Sequence, residues 1–131
     1  MLTFNKYSLF FKKGNKMVIC RQYNPEKKID KVWYKSSNIL YSECDDHVNA
    51  LKTLRVTFSN GRTYQYTNVD VNDYLMFMNG GLDGSNGKAL NRYIKPKYEC
   101  EKIADKDVNE IEYEKQQVLS SLMKKQEEGA M

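Results

Sequence analysis

The sequence predicts an α+β fold, with a small antiparallel sheet of about four or five strands, a packed helix and a C-terminal helical extension. Three observations lead to this prediction. An Asn60-Gly61 pair separates two alternating runs of β-branched and aromatic residues, 54–58 and 62–66, which is typical of a β-hairpin. The segments before this hairpin have strand composition. The segments after it change to helical periodicity.

Two segments near the start have the composition of strands. Residues 17–23 and 29–34 are rich in β-branched and aromatic side chains. In the second segment Val32 and Tyr34 share one face of the predicted strand, and the only tryptophan, Trp33, lies on the other. We therefore expect both faces of the sheet to be covered at this strand.

The segments on either side of these two strands differ in how clearly their residue patterns predict a structure. Residues 38–44 form a further candidate strand, and residues 51–58 have the clearest alternation in the chain. Residues 1–16 have only a weak pattern of aromatic residues among lysines, so a short strand, a short amphipathic helix and a loose arm all stay open.

The part of the chain after the hairpin is predicted to be mainly helical. Asp70 is a suitable N-cap for a helix through Met78, which the glycines that follow would end. Residues 88–94 form a short helix or turn, and residues 98–103 a last strand. From about Asp105 to Gln126 the pattern predicts a long helix.

The long C-terminal helix has an apolar stripe made by Val108, Ile111, Val118 and Leu122. Such a stripe either packs on the sheet of its own domain or forms a seam between copies of the chain. We favour packing on the same domain and keep a homo-oligomer through this helix as an alternative.

The charge of the chain is unevenly distributed. Residues 1–35 carry nine Lys or Arg against two acidic residues, whereas the other 96 residues have a net charge of −3. We divide the chain into a basic N-terminal arm with the leading strands (1–34), a central domain (35–103) and a C-terminal helix (104–131). A basic arm favours an anionic partner such as a nucleic acid or a nucleotide, although a solvated terminus explains the charge equally well.

The three cysteines are Cys20, Cys44 and Cys100, and they are far apart. This spacing supports neither a disulfide framework nor a zinc site, so we expect a reducing, cytoplasmic setting. No apolar run approaches the roughly 18 residues of a membrane span, so no membrane partner is expected.

The hairpin admits two registers. A two-residue turn would pair Tyr64 with Thr57 and display the tyrosines beside Arg55. A three-residue loop ending in a glycine bulge at Gly61 pairs Tyr64 with Val56 and Tyr66 with Leu54 instead. Burial favours the second register because it unites the apolar side chains. The tyrosine rings would then close the core, and a hydroxyl would reach the rim of a pocket.

Catalysis has little support in the sequence. The only histidine, His47, follows Cys44 and two aspartates, but neighbouring residues of an extended strand end point in opposite directions. Asp70 and Asp73 suit a helix cap and a first turn better than a pair of catalytic carboxylates. The glycines between residues 80 and 87 lack the spacing of a nucleotide-binding loop. We therefore predict no enzyme, no metal and no cofactor.

Anion binding has better support, from the segment between residues 88 and 98. No acidic residue occurs between Asp83 and Glu99. Lysine and arginine hold phosphates, aromatic faces stack on bases, and an amide reads a base edge or a ribose. The candidate ligand-binding residues are Arg92, Asn91, Lys88, Tyr93, Lys95, Lys97 and Tyr98, with Arg55 added from the outer face of the hairpin. The alternative is a solvated basic turn in which Arg92 braces the fold and Tyr93 packs inward.

Several of these features, in this order, resemble the KTSC domain, a small module named for the C-terminus of some lysyl-tRNA synthetases and also found alone in bacterial and phage proteins. The features are Ser36-Ser37-Asn38-Ile39 before a strand, the run 56–61 into the hairpin turn, Tyr64-Gln65-Tyr66, a helix, Asn91-Arg92-Tyr93-Ile94 and Tyr98. The resemblance spans about residues 35–103. It implies no established activity, and RNA binding is the function suggested for the family.

Together these features predict a non-catalytic binding module for RNA or another nucleic acid. Phosphate contacts would come from the basic segment and the N-terminal lysines, and stacking from Tyr93 and Tyr98. One alternative is a phage-type protein that sequesters a nucleotide. Another is a structural protein that assembles through its C-terminal helix.

Overall fold

The sheet has seven strands, more than the four or five predicted. The computed structural model of the chain describes residues 8–10, 17–45 and 51–129. Within these residues the strands pair in chain order, and each is antiparallel to the next. The strands are Ser8–Phe10 (β1), Val18–Asn24 (β2), Ile29–Tyr34 (β3), Ile39–Asp45 (β4), Leu51–Phe58 (β5), Arg62–Asp70 (β6) and Cys100–Asp105 (β7).

Both edge strands have little apolar alternation: β7 was predicted as a last strand at residues 98–103, whereas β1 was not assigned from the sequence. In β7 every residue except Ala104 is exposed. Backbone pairing with β6 holds this strand, so its side chains need no apolar pattern. At the other edge β1 pairs with β2, within the stretch of residues 1–16 whose structure the pattern left open.

The hairpin of β5 and β6 has the register that burial favours. Leu54 lies opposite Tyr66, and Val56 lies opposite Tyr64. Gly61 has a φ of 89°, and its N–H donates to the carbonyl of Phe58 at 2.9 Å, which confirms the three-residue loop.

One face of the sheet is covered by two helices, α1 (Val71–Met78) and α2 (Asn86–Ala89), and α2 continues into a π-helical turn at Leu90–Ile94. The Asp70 side chain caps α1 by accepting a hydrogen bond from the N–H of Asn72 at 2.8 Å, as predicted. Phe77, Leu90 and Ile94 are buried against strand side chains such as Val56 and Tyr66. This larger core holds the hairpin and the basic segment together.

The other face of the sheet is covered by α3 (Val108–Gly129). Three members of its apolar stripe, Ile111, Val118 and Leu122, are buried with Trp33 and Tyr41 of the sheet. Packing on the same domain is therefore the arrangement adopted, and these three side chains are not displayed as a seam. Self-association of the protein remains a prediction. None of the helices in the described ranges is long and apolar enough to cross a membrane.

Candidate nucleic-acid interface

The tip of the β5–β6 hairpin is held from two sides. The N–H of Ser59 donates to the carbonyl of Asn38 at 2.8 Å, which ties the tip to the segment before β4. The N–H of Lys106 donates to the carbonyl of Gly61 at 2.8 Å, which ties it to the segment after β7. Gly61 is required at this position because an added Cβ would lie 2.1 Å from the carbonyl oxygen of Lys106. The tip is therefore a fixed wall of the surface beside it.

Two clefts adjoin this tip. The first, which we call the aromatic cleft, has a volume of about 510 Å³ and is lined by Phe58, Asn60, Arg62, Tyr64, Tyr66, Lys95 and Cys100. The second, which we call the amide cleft, has a volume of about 520 Å³ and is lined by Asn38, Phe58, Ser59, Asn60, Ser85, Gly87, Lys88, Leu90, Asn91 and Lys95. Both volumes lie in the range of small-ligand sites.

Every charged residue that lines the two clefts is a cation. These are Arg62, Lys88 and Lys95, and all three are exposed. None of them has an ion pair with an acidic side chain in the part of the chain that the structure describes. Such a concentration of unpaired positive charge in a concave surface attracts anions.

Asn60 is oriented as a hydrogen-bond donor. Its Oδ1 accepts from the backbone N–H of Arg62 at 3.0 Å, so its amide nitrogen remains to donate to a ligand. Together with the three cations, this amide makes the polar groups around the tip predominantly donors. A ligand rich in acceptors, such as a phosphate ester, matches that set.

An aromatic corner completes the aromatic cleft. The rings of Phe58 and Tyr64 meet edge to face, with centroids 5.8 Å apart and planes at 84°. Lys95 Nζ lies 5.9 Å from the centroid of the Phe58 ring. A flat base entering this cleft would meet a ring and a cation together.

Three of the sequence-predicted site residues line the clefts. Lys88 and Asn91 lie in the amide cleft, and Lys95 lies in both. These residues belong to α2 and the turn that follows it, which the core places beside the hairpin tip.

Three other predicted site residues in the same segment, Arg92, Lys97 and Tyr98, form polar contacts within the protein. Arg92 Nη1 lies 3.3 Å from Asp83 Oδ1, and Lys97 Nζ lies 3.2 Å from Asp73 Oδ1. The Tyr98 hydroxyl also donates to Asp73, and it accepts from the backbone N–H of Asp70. Burial and the hydrogen bond to Asp73 raise the pKa of Tyr98.

Tyr93 is half-buried and packs against the core. A Cβ added at Gly81 would lie 2.6 Å from its ring. This ring therefore stands over the glycine-containing loop, as the inward-packing alternative describes.

Arg55 lies away from the other predicted site residues. It stands opposite Gln65 on the strand face that carries Thr57 and Thr63, and its Nη2 is 2.7 Å from Asp45 Oδ1. This ion pair and the hydrogen bond within it raise the pKa of Arg55 against the opposing effect of burial. The structure thus does not bring Arg55 to the clefts.

The hairpin residues that line the clefts were not among the site residues predicted from the sequence. Arg62, Phe58 and Asn60 belonged to the best predicted element of the chain but were assigned only a structural role. Tyr66 is 2% exposed, as its core assignment requires, whereas Tyr64 is half-buried and lines the aromatic cleft. The signal that could have found them is the adjacency of a cation and two rings at a tight turn.

The cysteines offer little nucleophilic chemistry. Cys20 and Cys44 are buried, and burial raises the pKa of each thiol to about 12. Cys100 is exposed and lines the aromatic cleft. His47 lies outside the described residues, and within these residues no three His, Cys, Asp or Glu side chains are grouped as metal ligands.

Comparison with known proteins identifies a matching domain family. No curated protein matches the chain. Residues 35–98 match the model of the KTSC domain, and this match includes every residue that lines the two clefts except Cys100. The resemblance to the KTSC domain that the sequence predicted is thereby confirmed for residues 35–98.

Proposed function

We propose that this protein is a non-catalytic RNA-binding module, and that the two clefts at the hairpin tip are its binding site. One observation carries the proposal: Arg62, Lys88 and Lys95 surround an aromatic corner and have no acidic partner among the described residues. Unpaired cations beside exposed aromatic edges match the two features of a single-stranded nucleic acid, its phosphates and its bases.

Each group has a role in this proposal. Lys95 and Arg62 hold phosphate oxygens in the aromatic cleft, and Phe58 and Tyr64 provide the surface against which a base stacks. The Asn60 amide donates to a phosphate, ribose or base oxygen. We place this activity in the cytoplasm, where the three free thiols would stay reduced.

The proposal is tested by the salt dependence of binding to single-stranded RNA. Three phosphate contacts give a slope of log K against log salt concentration of about −2, since each contact contributes about 0.7 for a single strand. Lys95→Gln should weaken binding and reduce the slope by about 0.7.

Lys97→Gln is the matched control, because Lys97 is also an exposed lysine but is already paired with Asp73. It should leave affinity and slope nearly unchanged. Equal losses in both variants, or binding that does not depend on salt, would refute the proposed site.

A second candidate function is sequestration of a free nucleotide. It is favoured because three cations line two adjoining clefts of small-ligand size. Arg92, Lys97 and Arg55 are each paired with an acidic residue, whereas Arg62, Lys88 and Lys95 line clefts of about 510 and 520 Å³ and have no acidic partner among the described residues. A nucleotide binder should show a thermal shift with a mononucleotide, and its affinity should depend little on salt. That result would replace RNA as the ligand while keeping the site.

A further inference from the structure

The two clefts share one wall. Phe58, Asn60 and Lys95 line both of them. We propose that the clefts are two successive nucleotide subsites, and that the smallest unit recognised is a linear dinucleotide whose bridging phosphate lies on Lys95. This inference rests on the proposed function and specifies how the ligand divides between the two clefts.

The position of Lys95 is the first argument. It is the one charged residue common to both linings, whereas Arg62 belongs to the aromatic cleft alone and Lys88 to the amide cleft alone. In a dinucleotide the bridging phosphate is the charge that lies between the two nucleosides. A cation between two concave sites is complementary to that phosphate. The Asn60 amide lies on the same shared wall and adds a neutral donor.

The contrast between the two linings is the second argument. The aromatic cleft has the edge-to-face rings of Phe58 and Tyr64 with Arg62, whose planar guanidinium also stacks on flat groups. It therefore suits the face of one base.

The amide cleft suits the edge of the other nucleoside. The side chains of Asn38 and Asn91 line it, and neither has a hydrogen-bond partner among the described residues. The Ser59 hydroxyl, in contrast, already donates to the carbonyl of Ser37. Two free amides, each with donor and acceptor atoms, provide hydrogen bonds to a base edge or a ribose.

Calorimetric titration of the full chain tests the inference with three sets of RNA probes. These are the four ribonucleosides, the linear dinucleotides ApA, CpC, GpG and UpU, and a single-stranded decamer of the preferred base. The best dinucleotide should bind at least about tenfold more tightly than its nucleoside, because it adds a second nucleoside and a bridging phosphate that makes a charge-assisted contact. Lys95→Gln should remove most of this advantage.

Lys88→Gln is the matched variant, since Lys88 is an exposed lysine in only one cleft. It should weaken longer ligands but preserve the ratio between dinucleotide and nucleoside. Circular dichroism of both variants checks that the fold is intact.

The possible failures are distinguishable. If the decamer binds while the dinucleotide and nucleoside have equal affinity, the two-subsite inference is wrong and the proposed function stands. The inference is also wrong if Lys88→Gln and Lys95→Gln reduce the ratio equally. If neither the decamer nor any shorter probe binds, both the inference and the proposed function are wrong.

Discussion

Two lysines on opposite sides of the sheet have opposite surroundings. On the face under α3, Lys31 is 7% exposed, its Nζ lies 4.1 Å from the centroid of the Tyr41 ring, and it is ion-paired with Glu114 at 2.5 Å. On the face under α1 and α2, Lys95 is exposed and borders two clefts without an acidic partner among the described residues. The first cation holds a helix on the sheet, and the second remains available to a ligand.

This difference shows how to separate structural from functional charge in a basic protein. A buried cation must be paired because an unpaired buried charge is strongly destabilising. An exposed cation in a concave surface lowers stability little when it is left unpaired, and it gains a contact when an anion binds. Substitutions on the α3 face should therefore change unfolding, and substitutions at the clefts should change binding.

The largest expected effect on stability is at the centre of the α3 face. Trp33 is fully buried, and its indole N–H donates to Gln22 Oε1 at 2.7 Å. Trp33→Ala should lower the free energy of unfolding by about 3–5 kcal/mol, measured by urea denaturation. Tyr113→Ala on the exposed side of α3 is the control and should change it by less than about 0.5 kcal/mol. A small loss of unfolding free energy for Trp33→Ala would contradict a stabilising role for the packing of α3 on Trp33.

The next effect is at Gly61 of the hairpin tip, which can be compared with Gly84, a left-handed glycine in the loop between α1 and α2. Gly61→Ala combines a left-handed backbone, which costs about 1–2 kcal/mol, with a close contact to Lys106, which adds about 1–3 kcal/mol. At Gly84 the backbone is also left-handed, but an added Cβ would meet nothing within 4 Å. Chemical denaturation of both alanine variants should therefore show the larger loss at Gly61. Equal losses would argue against the tight contact that fixes the tip.

The ion pair under α3 should have a moderate effect. Glu114→Gln leaves Lys31 without its carboxylate, and we expect a loss of about 1–2 kcal/mol in the free energy of unfolding, because Glu114 itself is partly exposed. Glu110→Gln, at an exposed position of the same helix, serves as the control and should be near neutral. If Glu114→Gln and Glu110→Gln change the free energy of unfolding equally, the ion pair between Lys31 and Glu114 does not stabilise the packing of α3.

For binding, Arg62 of the aromatic cleft, which has no acidic partner among the described residues, can be compared with the paired Arg92, which lines neither cleft. Arg62→Gln should weaken RNA binding about tenfold, equivalent to about 1.4 kcal/mol, because Arg62 lines the aromatic cleft. Arg92→Gln should change it less than about twofold, since Arg92 already pairs with Asp83. Fluorescence anisotropy with a labelled RNA measures both. A larger loss of affinity for Arg92→Gln than for Arg62→Gln would indicate that RNA binds at the segment around Arg92 instead.

The smallest expected effect is a change in the rate at which a thiol reagent modifies Cys100 in the aromatic cleft. At pH 8 a thiol reagent should react rapidly with Cys100 only, since Cys20 and Cys44 are buried and a pKa near 12 keeps each of them as a neutral thiol. Bound RNA should slow the reaction at Cys100, which lines the cleft. Rapid reaction of all three cysteines in the folded protein would contradict the burial described here. An unchanged rate at Cys100 in the presence of saturating RNA would place the ligand elsewhere.

The elements that could be predicted are those that depend on residues close together in the chain. The three-residue loop follows from the Ser59–Gly61 turn and the apolar alternation on both sides of it. Asp70 was identified as a cap from its position before the α1 pattern. Of the two edge strands, β7 was predicted at residues 98–103, whereas β1 was left open, since backbone pairing with β2 holds it with little need for an apolar pattern.

The candidate site was predicted only in part, because pairing between distant charges decides which cations stay free. The segment from Lys88 to Lys97 contains four basic residues that are alike in sequence context. Asp83 and Asp73 pair with two of them, while Lys88 and Lys95 remain unpaired among the described residues.

Local patterns were sufficient for the α+β class, the hairpin register and the family. These depend on side-chain alternation, turn chemistry and short motifs, which act over a few neighbouring residues. Only the tertiary structure determined that Asn38, Asn60 and Lys95, which are far apart in the chain, border common clefts. The physical reason is that a cleft is a product of packing: the core places α2 beside the hairpin tip, and no periodicity within either segment encodes that contact.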